Sequence, residues 1–214
     1  MKKYLSEFIG TFLLVAVVIG SGIMGETLSN GNNAVALLGN TIATGAILFV
    51  IIKMFANISG AHFNPIVSLI FLLRREIDAK NFTLYLFMQF FGGICAVFII
   101  HYIFELEHML QISSNIRGEL PLLISEIIAT FGLILTILLI RKYDEKSVAI
   151  GVALFISAGY WFTSSTSFAN PAVTFARVFT NTFTGIAPVS VKFFLIGQLI
   201  GGLIAHYVYK LLEE

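Results

Sequence analysis

Asn64-Pro65-Ile66-Val67-Ser68-Leu69-Ile70-Phe71-Leu72-Leu73 and Asn170-Pro171-Ala172-Val173-Thr174 open two apolar segments, 64–73 and 170–180. At 1.5 Å per residue, each makes only about 15 Å of helix, half of what a bilayer core requires. Asn is a strong helix N-cap, and Pro suits the first turn because its missing N–H would be unpaired there anyway. The pattern therefore predicts two half-helices that reach only the middle of a membrane. Irregular backbone at that depth is tolerated where protein buries it or water solvates it, so two such segments imply an internal aqueous path.

Around them lie six apolar stretches of spanning length, at about 4–24, 34–56, 80–104, 119–140, 147–166 and 188–210. Hydrophobic residues make up 57% of the 214 residues and charged residues 12%, a balance that a soluble domain of this size could not present to water. The formal charge of +1 gives no basis for a nucleic-acid partner. The lone cysteine, Cys95, excludes an intrachain disulfide and a cysteine-based metal site, and is read as a small buried residue. No metal site and no cofactor are expected. Met1-Lys2-Lys3 followed by an apolar run imitates a secretory signal. The run from Phe8 to Met24 is long for that role and lacks a small-residue cleavage pattern, so it is read as the first span.

Lys2, Lys3, Arg74, Arg75, Lys80, Arg141, Lys142, Lys146 and Lys210 fall on one side of such a chain, with Lys53 near the same side. Basic loop residues stay cytoplasmic, so both termini are expected in the cytoplasm. The chain also repeats itself: Glu7-Phe-Ile-Gly-Thr11 matches Glu126-Ile-Ile-Ala-Thr130, and Gln89-Phe-Phe-Gly-Gly93 matches Gln198-Leu-Ile-Gly-Gly202. Three spans per half make the second half inverted relative to the first, which predicts repeats at 1–110 and 111–214 within one structural domain. The two half-helix N-termini then meet head to head, each worth about half a positive charge, and repel cations. The amides of Asn64 and Asn170 can cap the half-helices with their oxygens and turn a donor to the lumen. Gly92, Gly93, Gly201 and Gly202 suit close helix contacts.

Ser59-Gly-Ala-His-Phe-Asn-Pro-Ile-Val-Ser68 and Ser167-Phe-Ala-Asn-Pro-Ala-Val-Thr174 resemble the two Asn-Pro-Ala boxes of the aquaporin, or major intrinsic protein, family. The likeness covers the whole chain, and the first box departs from the pattern only at Ile66. The resemblance implies an all-α membrane fold of six transmembrane helices and two re-entrant half-helices, assembled as a homotetramer with one pore per subunit in the plasma membrane. It also implies that the carbonyls of Gly60, Ala61 and His62 line one vestibule and those of Thr166, Ser167 and Phe168 the other.

Water-selective members of that family carry Arg three residues beyond the second Asn, where this chain has Val173. Ungapped counting places the other filter positions at Thr44, Ala158 and Ser167. An Arg does occur at 177, four residues on, which shifts the charge about 6 Å along nearly the same helix face, toward the pore mouth. The small filter predicts passage of solutes larger than water. This filter and the Thr174-Phe-Ala-Arg177 continuation are similar to a bacterial branch linked with arsenical permeation, which makes glycerol-like molecules and arsenite candidate solutes.

Several residues admit a second reading. Glu7 and Glu126 sit inside spans, where an ionisable group is a functional candidate; acceptance of hydrogen bonds from the half-helix loops is preferred. His62 is read as a packing residue rather than a sensor, and Arg177 either steers solute or anchors the chain at the interface. Trp161 is expected at lipid or helix seams. An orthodox water channel is the alternative within the class. An ion-coupled secondary transporter is the alternative outside it, disfavoured because the spare carboxylates occupy equivalent repeat positions. No nucleophile-and-base constellation indicates an enzyme.

Overall fold

The computed structural model describes residues 1–213. Its helices are α1 (Lys2–Leu28), α2 (Asn33–Ser59), α3 (Pro65–Leu73), α4 (Ala79–Ile103), α5 (Leu120–Tyr143), α6 (Val148–Phe162), α7 (Pro171–Ala176) and α8 (Pro188–Glu213). Five of them are long and apolar enough to cross a membrane: α1, α2, α4, α5 and α8. The sixth expected span, 147–166, is shorter than the sequence indicates. Its helix α6 has 15 residues and is preceded by a single 3-10 turn, Glu145–Ser147; the chain beyond Phe162 turns into an irregular loop. The two half-helices are α3 and α7, the latter continued by a 3-10 turn at Arg177–Phe179.

Packing follows the repeat. α1 packs on α2 and α4 in the first half, as α5 packs on α6 and α8 in the second, and α2 meets α6 across the halves. Two glycines make the closest approaches possible. A Cβ on Gly92 would stand 2.5 Å from the Phe8 carbonyl and 3.2 Å from the Phe12 nitrogen, and one on Gly201 would stand 3.0 Å from the Phe131 nitrogen. Phe8 and Phe12 hold the same repeat positions as Ile127 and Phe131, so α4 crosses α1 as α8 crosses α5.

Another contact is handled differently in the two halves. The Phe63 ring occupies the space over Gly10 where a Cβ would otherwise stand, whereas the equivalent pair in the second half is Ala169 and Ala129. The main apolar core runs along α1, α2, α5 and α6 and takes in Phe63; a second cluster joins α3 to α5 and α8 through Ile66, Ile70, Ile134 and Tyr209. Cys95 is half-buried, more open than the sequence reading has it. Trp161 is exposed at the end of α6 and donates to Thr41 Oγ1 at 3.1 Å.

Candidate transmembrane pore

Each half-helix begins at an Asn in extended backbone, with φ −153° at Asn64 and −154° at Asn170. Asn64 Oδ1 accepts from the Ile66 N–H at 2.9 Å, and Asn170 Oδ1 accepts from Ala172 at 2.9 Å and Val173 at 3.3 Å. Pro65 and Pro171 follow at the first helical position, where a missing N–H leaves nothing unpaired. The amide nitrogens reach across the midline. Asn64 Nδ2 donates to the Ala169 carbonyl at 2.7 Å, and Asn170 Nδ2 donates to the Phe63 carbonyl at 2.8 Å. A primary amide has two N–H groups. One from each Asn ties the boxes together, and the second remains for a solute.

The loops leading into the half-helices need unusual backbone. Ala61 and Ser167 have φ of 53° and 51°, and Phe63 and Ala169 have 48° and 47°, all in the left-handed region. Such residues persist only where the surroundings over-determine them. Here a buried carboxylate does so in each half. Glu7 Oε1 accepts from Ser59 Oγ at 2.6 Å and His62 N–H at 3.0 Å, while Oε2 accepts from Phe63 N–H at 2.7 Å and Gln89 Nε2 at 2.8 Å. Glu126 accepts from Phe168 N–H at 2.9 Å, Ala169 N–H at 2.8 Å and Gln198 Nε2 at 2.6 Å. Both glutamines also donate to a half-helix hydroxyl, Gln89 to Ser68 at 3.0 Å and Gln198 to Thr174 at 2.9 Å. The two glutamines stand at equivalent places in the repeats, which is the sequence signal for this paired role.

With their amides held this way, the carbonyls of Gly60, Ala61, His62, Thr166, Ser167 and Phe168 receive no protein donor among the described residues. A cavity of about 90 Å³ takes in both Asn residues, and its wall also includes Phe71, Val148, Phe168 and Arg177. Gly60, Ala61, His62, Ser167 and Phe168 lie in its wall; Thr166 is half-buried beyond it. Much of the remaining lining is apolar, with Leu14, Leu48, Val67, Leu133 and Val152. His62 is buried there, its Nδ1 3.1 Å from Ser68 Oγ and its ring 4.5 Å from that of Phe71.

Of the four expected filter residues, Thr44, Ser167 and Val173 line the cavity. Ala158 does not: it is exposed on the outside of α6. Successive helical residues turn by about 100°, so an error of one position in an ungapped count moves a residue to another face. From α6 it is Ile156 and Tyr160 that line the cavity, while Gly159 is buried against Ser167. A Cβ on Gly159 would meet Ser167 Oγ at 2.5 Å, and the Tyr160 hydroxyl lies 3.1 Å from Thr44 Oγ1. Arg177 is also not at an open mouth. It is 3% exposed, lies in the cavity wall, places Cζ 3.4 Å from the Phe168 ring centroid and donates from Nε to the Thr184 carbonyl. Ile66, the departure in the first box, is accommodated by α8, where its Cγ2 methyl fills the place of the absent Cβ of Gly202.

At the end of the bundle near Phe71 and Val148 the basic residues converge. Arg74 Nε donates to Glu76 Oε1 at 2.7 Å, and Arg141 donates to the other oxygen of Glu76 while its Cζ lies 4.9 Å from the Phe71 ring centroid. Lys53 Nζ donates to the Lys146 carbonyl at 2.9 Å. Partial burial alone would raise the Glu76 carboxyl, but the hydrogen bonds and charges of Arg74 and Arg141 outweigh it and hold Glu76 below its ordinary value.

Known proteins are similar to this chain in fold and in sequence. A structure of the aquaglyceroporin from Plasmodium falciparum superposes with a TM-score of 0.76, covering 97% of this chain and 94% of that one at 22% identity, which relates the folds. The aquaglyceroporin AqpS of Rhizobium meliloti (strain 1021) is 45% identical over 204 residues, 95% of this chain and 87% of that protein. The aquaporin NIP2-2 of Zea mays is 32% identical over 216 residues, 97% of this chain and 70% of that protein. The family model for the major intrinsic proteins matches residues 1–147. With five helices long and apolar enough to cross a membrane, the shorter α6 beside them, two half-helices and paired Asn-Pro boxes in the wall of one cavity, the chain is a multi-pass membrane channel that belongs to the major intrinsic protein family.

Proposed function

We propose that this channel conducts water and also uncharged solutes of glycerol size, including trihydroxy metalloid acids such as arsenous acid, while it excludes protons and ions. The observation that carries the reading is the mixed wall of the cavity, which combines two Asn amides and carbonyls that accept from no donor among the described residues with aliphatic side chains. A polyol passing along it exchanges water for these carbonyls and amides through its hydroxyls, and lays its carbon face on Leu14, Leu48 and Val152. Thr44, Ser167 and Val173 in the cavity wall support a constriction that admits more than water. Opposed half-helix N-termini, and amides that offer donors at the midplane, support the exclusion of protons and cations.

The same reading places both termini in the cytoplasm of a plasma-membrane channel, because Lys53, Arg74, Arg141, Lys142 and Lys146 gather at one end of the bundle. It treats 1–110 and 111–214 as inverted repeats. It assembles four copies through exposed apolar helix faces, such as Phe87, Phe91 and Phe98 on α4. The test is light scattering from proteoliposomes challenged separately with water, glycerol and arsenous acid gradients, with a Val173→Arg variant alongside. The wild type is expected to pass all three, and the variant to keep water and lose the larger solutes. A wild type that passes water alone overturns the wide-filter reading.

A further inference from the structure

Arg177 combines three properties that a structural anchor does not need together. It is 3% exposed, it lies in the cavity wall, and it forms no salt bridge among the described residues. Its orientation is fixed on two sides: the Phe168 ring faces the guanidinium at 3.4 Å, and the Thr184 carbonyl accepts from Nε. Among the described residues no protein acceptor reaches its two terminal nitrogens. Four N–H groups are therefore held at the edge of the path without a partner.

Neighbouring charges do not cancel it by contact. Arg117 adds a second guanidinium, with Cζ 5.3 Å from the same ring centroid, whose N–H groups donate, among the described residues, to the carbonyls of Gly185 at 2.7 Å and Phe183 at 3.1 Å. Glu126 lies beneath the Phe168 backbone with both oxygens occupied by N–H donors. Glu26 accepts from the Phe183 N–H at 3.2 Å. The same cavity wall holds hydroxyls, the Thr44–Tyr160 pair and Ser167 Oγ, which is buried without a partner among the described residues.

We infer that Arg177 sets the charge selectivity of this pore, acting one helical turn beyond Val173, and offers its terminal N–H groups to the oxygens of a passing hydroxylated solute. This rests on the reading of the cavity as a conducting path and extends it. A fixed cation in a narrow, largely apolar wall repels cations strongly because water cannot screen it. The Val at 173 leaves the lumen beside it open, so charge discrimination and a wide bore come from different residues.

The test measures water flux, glycerol flux and potassium leak in the same proteoliposomes for the wild type and for Arg177→Gln, Arg177→Met and Arg177→Lys. Potassium leak is expected to rise about tenfold in a neutral variant that still conducts water, and to stay at the wild-type level in Arg177→Lys. Glycerol flux is expected to fall relative to water in the neutral variants, because the donors are lost. A water-conducting neutral variant with wild-type leak overturns the assignment, as does Arg177→Lys leaking as much as Arg177→Gln. If neither neutral variant conducts water, the wild type in a KCl gradient decides: residual conductance favouring chloride supports the assignment, and conductance favouring potassium overturns it. A wild type with neither water nor glycerol flux sinks the channel reading itself, a separate outcome.

Discussion

The Cγ2 methyl of Ile66 occupies the position that a Cβ on residue 202 would need, so the one departure in the first Asn-Pro box is matched by a glycine on α8. Gly202→Ala should overpack this seam and destabilise the protein by about 1–3 kcal/mol. Ile66→Ala in the same chain should restore much of the loss, since it removes the colliding methyl. Thermal unfolding of the single and double variants in one detergent measures the coupling. Strictly additive losses would show that the two positions do not interact.

Glu7 and Glu126 perform the same task in the two halves, so their replacement should cost similar amounts. Glu→Gln at either position swaps an acceptor-only group for one that presents N–H toward N–H, with loss of charge-assisted bonds worth about 3 kcal/mol. Lower thermal stability and reduced water flux are expected for both, with the first preceding the second as temperature rises. A Glu126→Gln protein as stable as wild type would show that the left-handed residues at 167 and 169 hold their conformation unaided.

Gly159→Ala provides a narrowing test that leaves the charges in place. The added methyl would run into Ser167 Oγ at 2.5 Å and its Cβ at 2.7 Å, so Ser167 must move toward the lumen. Glycerol permeability should drop several-fold while water permeability changes much less. Equal losses for both solutes would locate the constriction elsewhere along the cavity.

Acid should loosen the clasp that joins the end of α3 to α5. Because Arg74 and Arg141 hold the folded Glu76 carboxyl below its ordinary value of 4.5, its stabilising contribution is complete above that value and is lost as pH falls through the folded value. Melting temperature measured from pH 7 to pH 3 should therefore decline in the wild type by more than in Glu76→Gln, which lacks the titrating group. Parallel curves for the two proteins would show that other carboxylates govern the acid limb.

Much of the architecture is legible in the residues. Asn64-Pro65 and Asn170-Pro171 specify where the half-helices begin, because capping and the missing proline N–H are local chemistry. Glu7 and Glu126 are legible through repetition: the same ionisable residue at the same place in two membrane spans. The filter is harder to read. An ungapped count lands on Ala158, but successive helical residues turn by about 100°, and it is Ile156 and Tyr160 that reach the cavity. The inward turn of Arg177 depends on Phe168 and Thr184, which approach it only in the folded chain. Pairs such as Phe63 over Gly10 are invisible to any pattern within one helix, since each residue is unremarkable until the other is seen beneath it.

The shortness of α6 has a consequence for the surrounding lipid. Its 15 residues make about 22 Å of helix, against about 30 Å of hydrocarbon, and the turn ahead of it carries Glu145 and Lys146, which belong among headgroups. Leu154, Trp161 and Phe162 remain exposed on its outer side. Acyl chains beside α6 must therefore shorten or be displaced, at a fraction of a kcal/mol for each ångström of mismatch. The protein thus carries a built-in preference for thin bilayers along one flank, and the length of the lipids around it becomes a variable that acts on the wall of its own conduit.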